Sequence, residues 1–327
     1  MGVFQECCKL LSEQSGNAQV IAGGTDLLMA LKNRLKTPTM LVDLSRISAL
    51  NQISYSDKEG LKVGAMVTLR HFANHSIVTE KYPFLAQAAL AVGDAQLQAM
   101  GTIGGNLCQD SCCLYYNRQP MWRQNFDPCH KLGGHVCHAV KASKICWATY
   151  CGDLAPALLV LQARIKISGP HKEKIVPLNE LYSGDGQKPH ILSPDQLVAE
   201  IHVPPLIPLS GGTYLKMRVR KTIDYPLLGV AVSLRLNKTD NSFENISAAL
   251  TGVEKTPILI DGEAPLKGDK TSQEVVENLA EKAFQKAHPI NNTYGFSPKY
   301  RREMVKIYVK SAVQQSVESA KKQGGAA

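Results

Sequence analysis

A long segment rich in cysteine and without hydrophobic periodicity divides the chain and sets the first constraint on its fold. It runs from Cys112 to Cys146 and holds five of the nine cysteines. An apolar period of 3.6 or 2 residues predicts a helix or a strand, and this segment shows neither. It also lacks a C-x-x-C pair. We therefore expect a long irregular loop whose thiols have a specific role.

The beginning of the chain has no signal-peptide pattern, which favours the cytoplasm and argues against disulfides. Seven of the nine cysteines lie between Cys108 and Cys151, and clustered free thiols indicate metal binding or redox chemistry. No apolar run reaches the roughly 18 residues of a membrane span. Cys7 and Cys8, and by default Cys108 and Cys151, are expected to be structural.

The formal charge of +9 raises nucleic acid as a partner. The Lys and Arg residues are dispersed, however, and we interpret them as a solvated surface, so nucleic acid is not expected. A docking face for an acidic protein is the alternative.

The order of apolar segments predicts an α+β protein in two parts. Strands are expected at "AQVIAGG", "MLVDLS", Gly60–Leu69 and "RIKISG", and helices at "TDLLMALKNRL", Pro83–Val92 and "GDLAPALLVLQA". The Pro-rich stretch Val203–Gly212 marks the boundary, giving domains 1–208 and 209–327 with the loop insertion at 108–151. Beyond it we predict three antiparallel strands and two helices, the first with a Thr271–Glu274 capping box and the second capped by Ser297.

Two glycine-containing turns are candidate ligand-binding motifs of this chain. "AGGTD" (Ala22–Asp26) joins a strand to a helix, and "GTIGGN" (Gly101–Asn106) precedes the cysteine loop. Glycines at such positions let backbone N–H groups approach a phosphate. Neither turn is a G-x-G-x-x-G fingerprint, and a single Gly-Gly is more often a plain tight turn than a phosphate site. The presence of two such turns in one chain favours the phosphate interpretation.

These motifs occur in a recognisable order: "VIAGGTDLL", "TIGGN", "GDLAPALLVLQA", "YLKMRVRKTIDYPLLGVAV" and "KYRREM". In this the chain resembles, over nearly its whole length, the FAD-binding medium subunit of the molybdenum hydroxylases, the family of xanthine dehydrogenase and carbon monoxide dehydrogenase. The resemblance implies a two-subdomain FAD-binding domain of the PCMH type and a C-terminal α+β domain.

The resemblance also implies which residues bind FAD. The two turns would wrap its pyrophosphate, and further positions would line the same groove or lie beside the flavin. For Asp153 a helix N-cap is an equally good interpretation, for Lys216 an exposed strand lysine, and Leu197 is the alternative to Val198. The expected FAD-binding residues are Val20, Ile21, Ala22, Gly23, Gly24, Thr25, Asp26, Leu27, Val92, Thr102, Ile103, Gly104, Gly105, Asn106, Asp153, Val198 and Lys216.

The cysteine loop is similar to that of one subgroup, which includes the β subunit of 4-hydroxybenzoyl-CoA reductase and whose loop holds a [4Fe–4S] cluster. The subgroup's ligand steps of 16, 8 and 9 residues fall on Cys113, Cys129, Cys137 and Cys146. Cys112 would point the other way in an extended segment. Structural zinc is the alternative for four thiols, although its usual short C-x₂₋₄-C pairs are absent. The loop aromatics Tyr115, Tyr116, Trp122 and Phe126 are expected to shield a cluster or to form a small core.

The expected function is electron transfer between a ferredoxin-like carrier, the [4Fe–4S] cluster, FAD, and the [2Fe–2S] and molybdenum centres of a small and a large partner subunit. The subgroup implies 4-hydroxybenzoyl-CoA reductase, an enzyme of aromatic degradation, in a dimer of heterotrimers. An aldehyde, xanthine or N-heterocycle dehydrogenase is the alternative, and a zinc-stapled nucleotide-binding module is the alternative from another class. No residue of this chain is expected to be catalytic, since the cofactors perform the chemistry.

Overall fold

The strands of the described residues form three β-sheets, and the buried apolar side chains form three hydrophobic clusters. A computed structural model describes residues 3–14, 16–262, 272–291 and 296–324. Its strands are β1 (Ala18–Ile21), β2 (Met40–Asp43), β3 (Ile53–Ser56), β4 (Gly60–Gly64), β5 (Arg164–Ser168), β6 (Glu173–Pro177), β7 (Leu197–Val203), β8 (Ser210–Met217), β9 (Leu228–Leu236), β10 (Phe243–Thr251) and β11 (Ile258–Asp261).

In chain order, most of the described helices lie between β4 and β5, and the last two follow β11. They are α1 (Val3–Glu13), α2 (Leu27–Lys32), α3 (Leu69–Asn74), α4 (Ser76–Lys81), α5 (Pro83–Leu90), α6 (Ala95–Met100), α7 (Ile103–Leu107), α8 (Pro120–Arg123), α9 (Leu154–Leu159), α10 (Ser272–Lys286) and α11 (Pro298–Gly324). Short one-turn 3₁₀ segments occur at Ser48–Asn51, His130–Leu132 and Leu178–Leu181.

The first two sheets form the two parts of the N-terminal region. β1 and β2 pair in parallel, and their buried Ala18 and Val42 pack with Leu11 of α1. The second sheet has the order β3-β4-β7-β5-β6 and packs against the apolar α5 and α9. Both glycine turns lie where these two parts meet, because the first turn follows β1 and the second opens α7.

The C-terminal sheet has four strands, in the order β11-β10-β9-β8, where the sequence predicted three. The additional strand, Ile258–Asp261, pairs with Ser247–Leu250 of β10. It was missed because a four-residue edge strand is too short to show an alternating pattern. One face of this sheet packs on α10 and α11, and the other contributes Ala231 and Ala249 to the cluster around α5 and α9.

Two predicted elements are shorter in the structure. The strand predicted over Gly60–Leu69 ends at Gly64, because Thr68 caps α3 through a 3.2 Å hydrogen bond from the His71 N–H to its Oγ1. The helix predicted from "TDLLMALKNRL" is only the six residues of α2, none of them buried. Its leucines therefore do not form the buried face that their spacing indicated.

The ends of the last two helices agree with the sequence where they are described. Ser297 caps α11, since its Oγ accepts the Tyr300 N–H at 3.2 Å. Thr271 of the predicted capping box lies outside the described residues. Arg301, from the "KYRREM" motif, is 1 % exposed and donates to the carbonyls of Leu227, Gly252 and Ile290. It thereby joins α11 to the ends of β9 and β10.

None of the helices in the described part of the chain is both long and apolar enough to cross a bilayer.

Candidate functional site

The two glycine turns lie against each other. A Cβ on Gly23 would come within 1.8 Å of the Met100 carbonyl oxygen, so only glycine allows this approach. Gly24 has φ +71°, a conformation that glycine adopts at low cost. Among the described residues, the N–H groups of Gly23, Gly24 and Thr25 donate to no protein acceptor. The first turn therefore presents unpaired donors beside the second.

The backbone N–H groups of the second turn donate to acceptors within the protein. The N–H groups of Ile103 and Gly104 donate to the carbonyls of Val67 and Ala65, both at 2.9 Å, and the Gly105 N–H donates to Thr102 Oγ1 at 3.0 Å. A Cβ on Gly104 would meet that of Ala65 at 2.6 Å. The glycines of this turn thus permit close packing, while free donors come from the first turn.

Asn106 connects the second turn to the start of α9. Its side-chain oxygen accepts the Leu154 N–H at 3.1 Å, and its carbonyl accepts the Tyr150 hydroxyl at 3.1 Å. The side chain is thus occupied within the protein, which makes Asn106 a residue that positions the turn.

Asp153 and Lys216 form a buried ion pair at 3.0 Å. Asp153 also accepts the Tyr214 hydroxyl at 2.6 Å, and Lys216 donates to the Ala91 carbonyl at 2.8 Å. Burial raises the pKa of Asp153, and Lys216 and Tyr214 oppose that rise because they favour the carboxylate. Asp153 makes no side-chain cap bond to α9, and Lys216 is not an exposed strand lysine.

The remaining predicted groove residues are divided between the two sides of the second sheet. Val92 follows Ala91 directly, and its carbonyl accepts the Gln98 amide at 2.9 Å. Val198 packs in the central cluster with α5 and α9. Leu197 points to the opposite face, where it packs with Val20 and Ala22 beside the first turn. Of the two alternative residues, Leu197 and not Val198 lies on the side of the first glycine turn.

Asp26 links the first turn to the cysteine loop. Its carboxylate accepts the Asp110 N–H at 3.2 Å. Burial raises its pKa, and this hydrogen bond opposes that rise. The loop is also held by Arg123, which donates to the Asn33 carbonyl after α2 at 3.1 Å. The loop is therefore docked on the same part of the protein that carries the first turn.

The four predicted ligand thiols lie in the cysteine loop, where Cys146 is buried and Cys113, Cys129 and Cys137 are half-buried. Burial raises the pKa of the Cys113 thiol. The Ala148 N–H donates to the Cys146 sulfur at 3.4 Å. Burial raises the pKa of the Cys146 thiol to about 11, and the Ala148 N–H and Lys131 oppose this.

Cys112 pairs with Thr149 in a short antiparallel bridge, and its Sγ donates to the Asp110 carbonyl at 3.9 Å. Cys151 Sγ donates to the Thr149 carbonyl at 3.6 Å. The choice of Cys113 over Cys112 as a ligand stays a prediction. Cys151 is buried and Cys108 is half-buried. The loop histidines bond to carbonyls: His130 to Ser143 at 3.0 Å and His138 to Asp127 at 2.8 Å.

Within the described ranges, no three His, Cys, Asp or Glu side chains form a group that could hold a metal ion. The four cluster ligands and the zinc alternative therefore both stay predictions.

Three of the four loop aromatics form a small exposed core with His138. Tyr115 lies 6.0 Å from Trp122 and 5.8 Å from Phe126, measured between ring centroids, and Phe126 lies 5.5 Å from His138. Tyr116 lies apart from them and is buried. The loop core therefore includes His138, the residue that follows Cys137 in the sequence.

Three residues of the site were not expected from the sequence. Tyr214 lies two positions before Lys216 on β8, hence on the same face, and that spacing was a usable signal. Tyr225 is half exposed, yet its side chain interacts with Cys112 and Asp26. Lys131 is almost completely buried in the loop, and nothing in the local sequence indicates its burial.

Comparison with known proteins matches both parts of the chain. Residues 2–206 match the FAD binding domain in molybdopterin dehydrogenase, and residues 213–316 match the CO dehydrogenase flavoprotein C-terminal domain. The FAD-binding subunit of the aldehyde oxidoreductase PaoB from Escherichia coli K12 is 32% identical over 87% of this chain and 89% of its own length.

Other relatives show the same extent of similarity. The medium chain of glyceraldehyde dehydrogenase from Sulfolobus acidocaldarius is 28% identical over 94% of both chains. The solved carbon monoxide dehydrogenase of Hydrogenophaga pseudoflava superposes with a TM-score of 0.76 at 26% identity, over 95% of this chain and 93% of that chain.

The Gly23→Ala variant tests the contact between the turns. A Cβ at this position forces the first turn away from Met100, and we expect FAD binding to weaken by about tenfold or more, which corresponds to about 1.4 kcal/mol. Titration of apoprotein with FAD, followed by flavin fluorescence, measures the change. Gly169→Ala is the matched control, because its Cβ meets nothing closer than 3.4 Å. Equal affinity in both variants would contradict the role of Gly23.

The buried ion pair is tested by a double-mutant cycle. Lys216→Met leaves the Asp153 carboxylate without its cation, and we expect the free energy of unfolding to fall by about 3–5 kcal/mol. Lys216→Met combined with Asp153→Asn removes both charges and is expected to recover part of this loss. Denaturant unfolding of Lys216→Met, Asp153→Asn and the double variant measures the coupling. Additive effects of the two substitutions would exclude a direct interaction.

Proposed function

Since the chain belongs to the FAD-binding medium subunits of the molybdenum hydroxylase family, we propose that it binds FAD between its two glycine turns and a [4Fe–4S] cluster on its cysteine loop. Its task is to pass electrons between an external carrier and the [2Fe–2S] and molybdenum centres of partner subunits. FAD binding and the oxidoreductase class follow from the family. The cluster and the route of the electrons are our proposal.

The sequence positions of Cys113, Cys129, Cys137 and Cys146 carry the cluster proposal, because they match the ligand steps of the subgroup that holds a [4Fe–4S] cluster. All four lie in the cysteine loop, and the Cys146 sulfur accepts the Ala148 N–H at 3.4 Å. Thiolates are the ligands of iron–sulfur clusters.

The flavin site fits its cofactor on separate grounds. The unpaired N–H groups of Gly23, Gly24 and Thr25 suit the pyrophosphate oxygens. Lys216 and Asp153 hold Ala91 and the adjoining Val92 in place from the C-terminal sheet. Bound FAD supplies one- and two-electron exchange. The protein binds and orients it and needs no general acid or base for this purpose.

The partners follow from the type of subunit. Relatives named as medium chains or FAD-binding subunits support a large molybdenum-cofactor subunit and a small [2Fe–2S] subunit for this chain, as a dimer of heterotrimers. The net charge of +9 suits an acidic carrier such as a ferredoxin, because opposite charges accelerate encounter. A cytoplasmic location stays a prediction.

Two reactions of the whole assembly have support. Aldehyde oxidation is favoured by two relatives, one named an aldehyde oxidoreductase subunit and the other a glyceraldehyde dehydrogenase chain. Reductive dehydroxylation of 4-hydroxybenzoyl-CoA is supported by the ligand steps in the cysteine loop. Other relatives are named for carbon monoxide, xanthine and nicotine, so these substrates are also to be tested.

Iron analysis of anaerobically purified protein tests the cluster. We expect about four iron and four sulfide per chain, together with one FAD. Cys137→Ser is expected to lose the iron and keep the FAD, whereas Cys108→Ser, which removes a thiol outside the group, keeps both. Zinc in place of iron in the unaltered chain would overturn the cluster, and absence of flavin would overturn the FAD site.

The reaction is decided by assaying the assembled complex. We expect aldehydes to reduce an artificial acceptor such as ferricyanide, and reduced ferredoxin with 4-hydroxybenzoyl-CoA to give no product. The reverse pattern would establish the dehydroxylation. A complex inactive with both, but active with xanthine or an N-heterocycle, would contradict both candidates while leaving the electron-transfer role intact.

A further inference from the structure

Gln98 of α6 is a buried side chain that caps the end of α5. It is 8% exposed. Its amide nitrogen donates to the Leu90 carbonyl at 2.8 Å and to the Val92 carbonyl at 2.9 Å. A primary amide nitrogen carries two hydrogens, so both of them are used in these two bonds. Gln98 therefore ties α6 to the turn that follows α5.

Four successive carbonyls at the end of α5 take their donors from other elements. The last carbonyls of a helix have no partner within the helix, so other groups must supply the donors. Lys216 of β8 donates to the Ala91 carbonyl at 2.8 Å. The Ile223 N–H, from the segment between β8 and β9, donates to the Gly93 carbonyl at 3.1 Å. With the two bonds from Gln98, the turn is held by α6 and by the C-terminal domain together.

The other end of α6 contacts both glycine turns. Met100 is its last residue, and the Met100 carbonyl oxygen is the atom that a Cβ on Gly23 would meet at 1.8 Å. The C-cap of α6 is Gly101, which opens the second turn, and its carbonyl accepts the Leu69 N–H at 2.9 Å. This six-residue helix thus connects the turn after α5 with the two glycine turns.

We propose that Gln98 is a positioning residue that sets the turn bearing Val92, at the flavin end of the groove, relative to the glycine turns at its pyrophosphate end. This inference rests on the proposed FAD site. A cofactor that contacts both ends binds tightly only when their separation matches its own length, whereas a ligand that contacts one end does not depend on that separation. Gln98 performs this role through the carbonyls that it binds and without touching the cofactor.

Titration of the FAD-free full chain with FAD and with ADP tests the proposal. ADP carries the adenosine and pyrophosphate parts of FAD and lacks the flavin ring. Gln98→Met removes both donors at nearly unchanged volume, and we expect the affinity for FAD to fall by about tenfold, while the affinity for ADP stays within about twofold. The visible absorption band of bound FAD is also expected to shift, because the ring is held less firmly.

Gln96→Met is the matched control, since it replaces an exposed glutamine of the same helix and is expected to change neither affinity. Equal losses of both affinities in Gln98→Met would show a purely structural role and overturn the proposal, as would an unchanged affinity for FAD. If Gln98→Met does not fold, Gln98→Asn decides by the same comparison, because its amide is one methylene too short to reach both carbonyls.

If ADP binds the unaltered chain too weakly to measure, the absorption band of bound FAD decides, and an unchanged band in Gln98→Met overturns the proposal. An unaltered chain that binds no FAD refutes the proposed function instead.

Discussion

The buried pair of Lys216 and Asp153 is the interaction on which the arrangement of the flavin site depends. Lys216 belongs to the C-terminal sheet, Asp153 precedes α9, and the Ala91 carbonyl that Lys216 also binds ends α5. Charges buried to this degree are costly unless they are paired and hydrogen-bonded, and here Tyr214 supplies the further donor to Asp153. The C-terminal domain therefore fixes the groove of the N-terminal domain, and the two are not independent modules.

The cysteine loop is attached to this framework at a small number of polar contacts. Asp26 accepts from Asp110, Arg123 reaches the carbonyl of Asn33, and Cys112 pairs with Thr149. Tyr115, Trp122 and Phe126 of the loop pack with one another, and none of them belongs to the central cluster. The insertion therefore has a small aromatic core of its own.

Much of the site was predictable because it depends on local chemistry. The glycines at positions 23 and 24 follow a strand, and the structure shows a packing and a φ value that require them. The choice of Cys113 over Cys112 as a ligand, made from the alternation of side chains in an extended segment, stays a prediction. Tyr214, Lys131 and the strand Ile258–Asp261 were missed, because their roles depend on partners distant in sequence or on a segment too short to show a period.

A reductive titration of the full chain under anaerobic conditions tests the central claim, that one polypeptide holds both a flavin and a cluster, most directly. FAD takes up two electrons and a [4Fe–4S] cluster takes up one, so we predict about three electron equivalents per chain, with flavin bleaching and a cluster signal in the same sample. An uptake of about two equivalents, with full flavin bleaching and no cluster signal, would contradict the account.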